Sequence, residues 1–74
     1  MNEIIKNMVK EKYRGLIIKA VPTSQNSTEF NTIIVRYDHG NNVYLVATGG
    51  IRDTEKECIF EGKQIIDNLK RRKP

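Results

Sequence analysis

Between Phe30 and Thr48, two stretches of alternating apolar and polar residues flank Asp38-His39-Gly40-Asn41-Asn42, a cluster of turn formers. That pattern predicts a β-hairpin, because successive strand side chains point to opposite faces while Asn, Asp and Gly accept the backbone of a tight turn. In the first arm Ile33, Val35 and Tyr37 share a face, opposite Thr32, Ile34 and Arg36. In the second, Val43, Leu45 and Ala47 alternate with Tyr44, Val46 and Thr48. Gly49-Gly50 is expected to end the sheet.

The hairpin is flanked by two segments of helical period. Ile4, Ile5, Met8, Val9 and Tyr13 recur at one-, three- and four-residue steps, with Glu3, Lys6, Asn7, Lys10 and Glu11 on the other side. This predicts an amphipathic helix capped by Asn2 and ended by Gly15 in the left-handed conformation. Leu16 to Val21 reads as a short strand stopped by Pro22, followed by a polar, mobile loop over Thr23 to Thr28. Thr54 and Glu57 form a capping box, after which Cys58, Ile59, Gly62, Ile65, Ile66 and Leu69 make one apolar stripe. Glycine inside a helix costs about 1 kcal/mol against alanine, so Gly62 predicts close approach of helix and sheet. The fold expected is α+β in the order α-β-β-β-α, a three-stranded antiparallel sheet with both helices packed on one face.

A chain of 74 residues is expected to form a single domain with a small core and no room for a deep substrate pocket. No apolar run is long enough to cross a bilayer and no secretory leader follows Met1, so a cytoplasmic location away from membranes is expected. Cys58 has no disulfide partner, and one Cys with one His39 cannot assemble a zinc site. No metal or cofactor is expected, and no residue is assigned a catalytic role. Cys58 belongs to the core stripe and His39 to the hairpin turn, which separates the two groups that could pair as thiolate and base.

What remains is binding. Thirteen Lys and Arg against nine Asp and Glu give a net charge of +4, with the excess concentrated in Lys70-Arg71-Arg72-Lys73, the basic tail over residues 70–74. Acidic partners, whether nucleic acid or acidic protein surfaces, are favoured. Phe60 sits opposite the centre of the C-terminal apolar stripe, and Lys56, Lys63 and Lys70 repeat along one flank with Arg71 close by. An exposed ring beside a cationic strip can contact a protein or stack on nucleic acid bases. The outer sheet face, read as Ile34, Arg36, Tyr44 and Val46, is a second candidate surface. Its alternatives are plain cross-strand packing and a homodimer through that face.

The order helix, three strands, helix resembles the double-stranded RNA-binding domain, although Glu55-Lys56-Glu57 stands where that family carries a lysine cluster and Gln25-Asn26-Ser27 where it carries a minor-groove histidine. Gly49 to Thr54 followed by Lys56 is similar to the strand-to-helix junction of integrase arm-type DNA-binding domains. The Met1-Asn2 opening, Asn26-Ser27, Ile33-Ile34-Val35-Arg36, Gly40-Asn41 and Tyr44 resemble small phage anti-CRISPR proteins. The inhibitor of this shape in that group is acidic and imitates DNA. A basic chain would therefore address a different surface of its target.

The resemblance implies a non-enzymatic phage or mobile-element inhibitor that binds a host nuclease or defence complex through protein–protein interaction. Phe60, Lys56, Lys63 and Arg36 would make the contact, with Tyr44 and the Gln25 to Thr28 loop as rim. The alternative is a small nucleic-acid-binding module for DNA or RNA that uses the basic helix with Lys70 and Arg71.

Overall fold

Arg14 and Gly15 both have positive φ, 50° and 88°. Two such residues in succession make the two-residue hairpin turn whose twist matches the strands it joins. In the computed structural model, which describes residues 9–40 and 42–71, they connect β1 (Val9–Tyr13) to β2 (Leu16–Pro22). β3 (Phe30–Tyr37) and β4 (Val43–Arg52) follow, and α1 (Glu55–Arg71) closes the described chain. The sheet is an antiparallel meander in the order β1-β2-β3-β4. The class is α+β, with four strands and, among the described residues, one helix.

This corrects the expected α-β-β-β-α order. Val9–Tyr13 is a strand, not the end of a helix, and Gly15 takes its left-handed conformation in a hairpin turn. Once Arg14-Gly15 reverses the chain, Tyr13 is set opposite Leu16 and Val9 opposite Ala20. The ladder hydrogen bonds this provides outweigh the weak helical tendency of so short a segment. Asn2, Ile4, Ile5 and Met8, which carried the rest of that expected helix, lie outside the described residues.

α1 packs on one face of the sheet only. Cys58, Gly62 and Ile66 are its buried positions, one turn apart, and Ile59 and Ile65 pack alongside. Beneath them lie Leu16, Ile18, Ala20, Thr32 and Ile34, all buried. Burying an isoleucine side chain contributes about 1.5–3 kcal/mol, so Ile18, Ile34 and Ile66 supply much of the cohesion of a core this small. A Cβ on Gly62 would collide with the Ile18 side chain, which confirms the close approach read from the sequence. Thr54 Oγ1 accepts the Glu57 amide at 3.1 Å, as the capping box requires. Glu55 and Glu57 in the first turn and Lys70 and Arg71 in the last suit the helix dipole.

β4 does not stop at Gly49-Gly50 but runs through them to Arg52, with register shifts opposite Asn31/Ile33 and Ile34/Val35. The bulged region receives a side chain from α1. Glu61 accepts hydrogen bonds from Thr32 Oγ1 (2.8 Å), the Gly50 amide (3.0 Å) and Arg52 (2.9 Å). Burial disfavours its charge, but the Gly50 amide, the Thr32 hydroxyl and Arg52 outweigh it and hold the carboxyl below its ordinary range. The segment from Thr23 to Glu29 is closed by its own hydrogen bonds, Thr23 amide to the Glu29 carbonyl and Thr23 to Ser27 through their hydroxyls.

Candidate functional site

Because α1 turns Cys58 and Gly62 inward, Phe60 points away from the sheet and is 64% exposed. Its ring borders an open hollow of about 480 Å³ with Val9, Ile59, Lys56 and Lys63. The structure thus brings together three of the residues expected at a contact site. It also adds an acid to them: Glu11 on β1 reaches across to Lys63 at 2.9 Å. The hydrogen bond and charge of Glu11 raise the Lys63 ammonium above its ordinary value, and the same ammonium lies 5.5 Å from the Tyr13 ring centroid.

Lys70 and Arg71 sit at the far end of α1, beside a separate hollow of about 430 Å³ that Tyr13, Arg14 and Asp67 also line. Asp67 accepts from Arg14 at 2.8 Å and from the Tyr13 hydroxyl at 3.0 Å. The Arg14 hydrogen bond, against some burial and with help from Tyr13, depresses the Asp67 carboxyl. The bond to Asp67 raises the Tyr13 phenol in turn. The cationic strip read along α1 is therefore interrupted by Glu11 and Asp67.

Arg36 and Tyr44 are far from either hollow in the architecture, at the β3–β4 hairpin end. The Arg36 guanidinium lies 5.0 Å from the Tyr44 ring centroid, and the Tyr44 hydroxyl donates to Asp38 at 2.9 Å. Asp38 also accepts the Gly40 amide at 2.9 Å and the Asn42 amide at 3.1 Å. The Tyr44 bond first, and then the turn amides against slight burial, keep the Asp38 carboxyl low. Arg36 and Tyr44 thus brace the turn.

The outer sheet face differs from the one read in the sequence. Ile34 lies opposite Ile18 and is fully buried under α1, while Val46 sits where the β3–β4 register shifts. The face left uncovered by α1, among the described residues, carries Ile33, Val35, Tyr37, Val43 and Leu45, of which Val35 is buried. Ile17 and Leu45 flank Val35 as cross-strand partners, and Tyr37 pairs with Val43. Leu45 is 65% exposed, and Tyr37, Val43 and Ile51 are each about half exposed. Lys10 and Lys12 on β1 and Lys19 on β2 complete this face, Lys10 directly opposite Lys19. The Lys19 ammonium lies 5.9 Å from the Tyr37 ring centroid.

Charge is partitioned between the two faces. Glu11 points to the α1 side, Glu61 and Asp67 belong to α1, and Glu29, Asp38 and Asp53 lie between strands or at strand ends. The uncovered face thus holds three lysines and, among the described residues, no carboxylate. Lys10 escaped the sequence reading because it counted as the solvent side of a helix, and Lys12 was not singled out. The signal that could have found them is the strict alternation Val9, Glu11, Tyr13 against Lys10, Lys12.

Cys58 is fully buried, with its thiol 3.8 Å from the Phe30 carbonyl, and His39 is in the β3–β4 turn, so the structure does not bring them together. Among the described residues no three His, Cys, Asp or Glu side chains cluster as metal ligands, and no helix is long and apolar enough to cross a membrane. No protein-family model, curated protein or solved structure matches the chain.

Proposed function

We propose that this chain is a non-enzymatic binding protein whose working surface is the uncovered face of the sheet. One observation carries the reading: Tyr37, Val43 and Leu45, beside the buried Val35, form an exposed apolar strip over which no described element of the chain packs. Soluble monomers rarely leave such patches bare unless something docks there. The edges are poorer candidates. β1 presents Lys10 and Lys12, and β4 is bulged twice, both devices that discourage strand addition.

The anti-CRISPR likeness gives this reading its specific form: stoichiometric occupation of a surface on a host nuclease or defence complex. The nucleic-acid reading through α1 is weakened by the Lys63–Glu11 and Arg14–Asp67 pairs, which place carboxylates along the strip it needs.

The test is a capture comparison from a bacterial lysate with the tagged chain, Leu45→Asp and Phe60→Ala, each shown by circular dichroism to be folded. The reading expects the partner recovered by the parent chain to be lost with Leu45→Asp and kept with Phe60→Ala. The opposite pattern would move the working surface to the Phe60 hollow. For a nuclease partner, inhibition should saturate at a one-to-one ratio.

A further inference from the structure

We infer that the occupant of the uncovered sheet face is an amphipathic helix of a partner protein that carries carboxylates along one flank. This rests on the binding reading above and adds the chemistry of the partner. The face is divided lengthwise by the strand order. β3 and β4 offer the aliphatic strip, while β1 and β2 offer Lys10, Lys12 and Lys19. A partner must therefore be apolar on one side and acidic on the neighbouring side, and period 3.6 supplies those two adjoining stripes on a single helix.

The other face of the same sheet shows that its width suits one helix. α1, 17 residues long, lies across all four strands and fills that face with a single apolar stripe. A helix on the opposite side would complete the three-layer arrangement in which both faces of a sheet are covered.

Two other occupants fit less well. A second copy of the chain would bring a face with three lysines and no described carboxylate against its own duplicate, with like charges and nothing to neutralise them. A single-stranded nucleic acid would find the lysines, but Tyr37 is the one aromatic ring on the described face. Val43 and Leu45 offer aliphatic surface where bases need a stacking platform.

The experiment uses the full chain, labelled with nitrogen-15, and three probes. The first is a capped 17-residue peptide with leucines along one helical face and glutamates along the adjoining flank, matched in length to α1. The second has lysine in place of every glutamate, and the third is single-stranded oligouridylate. The inference expects the glutamate peptide to shift the amides of β3 and β4 on the uncovered side and to bind at least about tenfold more tightly than its lysine twin. The triple variant Lys10→Glu, Lys12→Glu, Lys19→Glu should reverse that preference, and added salt should reduce it.

Equal binding of both peptides would overturn the acidic flank while leaving the uncovered face as a binding surface. Oligouridylate as the sole binder, or sedimentation showing a dimer that Leu45→Asp dissociates, would replace the helix with nucleic acid or a second copy. Binding by none of the probes would also overturn the inference. The binding reading itself is decided separately by the capture comparison.

Discussion

The two faces of this sheet are built from similar residues and do different things. On the α1 side the isoleucines Ile18 and Ile34 are sealed under a helix whose backbone comes so near that only glycine fits at position 62. On the other side Tyr37, Val43 and Leu45 are exposed and lie under nothing described. Hydrophobic composition alone does not decide which face becomes core. Two features do: small side chains that admit a helix, Ala20 and Ala47 among them, and a carboxylate on that helix that satisfies the donors of an irregular strand pair. The uncovered face has neither.

The sharpest way to break this comparison is to place the same charge on each face. Ile34→Asp puts a carboxylate into a fully buried apolar site, where truncating the isoleucine to alanine alone costs about 2–5 kcal/mol. A domain of this size has about 3–5 kcal/mol of net stability, so the variant should be unfolded by circular dichroism at room temperature. Leu45→Asp should stay within about 0.5 kcal/mol of the parent by urea denaturation. If both variants unfold, the uncovered face is core and the distinction is lost. A smaller effect is expected from Gly62→Val, whose branched side chain must displace Ile18, at about 1–3 kcal/mol. Ile18→Ala in that background should show a favourable coupling energy, since it removes the atoms that collide.

The sequence made one face of this comparison easy to read and the other hard. α1 was legible because its stripe, its cap and its central Gly62 all point to one packing direction, and Phe60 is accordingly outside. β3 was not, since Ile33, Ile34 and Val35 are apolar on both faces and a strand with no polar side carries no information about which side is buried. The buried polar member of the strand is Thr32, whose hydroxyl is matched by Glu61 29 residues away, a pairing invisible to local periodicity. β1 was misread for a related reason. Its α1-side alternation includes Glu11, a half-exposed carboxylate that pairs with Lys63, and a charge on that side hides the strand pattern. The candidate site fared likewise: Lys56, Phe60 and Lys63 do meet, whereas Arg36 and Tyr44 meet only each other and the turn.

Acid should discriminate the faces more gently. Of the carboxyls held low by hydrogen bonds, Asp38 lies in the hairpin turn, whereas Glu61 and Asp67 lie on α1, and Glu61 is the more enclosed. A carboxyl lowered in the folded state adds stability that is complete above its unfolded value and disappears as pH falls through the lower, folded one. Urea midpoints should therefore be flat near neutrality and drop once the pH passes below the ordinary carboxylate range. Glu61→Gln should cost about 1–3 kcal/mol at neutral pH, because the Gly50 amide and Arg52 lose a charged acceptor. It should also flatten the acid limb. An unchanged acid limb in this variant would assign the pH dependence to other carboxyls.

The smallest effect concerns the end of the hairpin, beyond the helix, where both faces are open to water. Tyr44→Phe keeps the ring that Arg36 covers and removes the hydroxyl that donates to Asp38. Of the groups that depress Asp38 the Tyr44 hydroxyl is the strongest, and the Gly40 and Asn42 amides remain when it goes. The Asp38 carboxyl should move upward toward its ordinary value, followed by carbon-13 titration, with little change in the denaturation midpoint. The carboxylate that remains should keep the turn closed through its backbone donors. An Asp38 that does not move would mean that the turn amides alone hold the charge. The Tyr44 hydroxyl would then add nothing to the brace of the turn, and its ring would serve Arg36 alone.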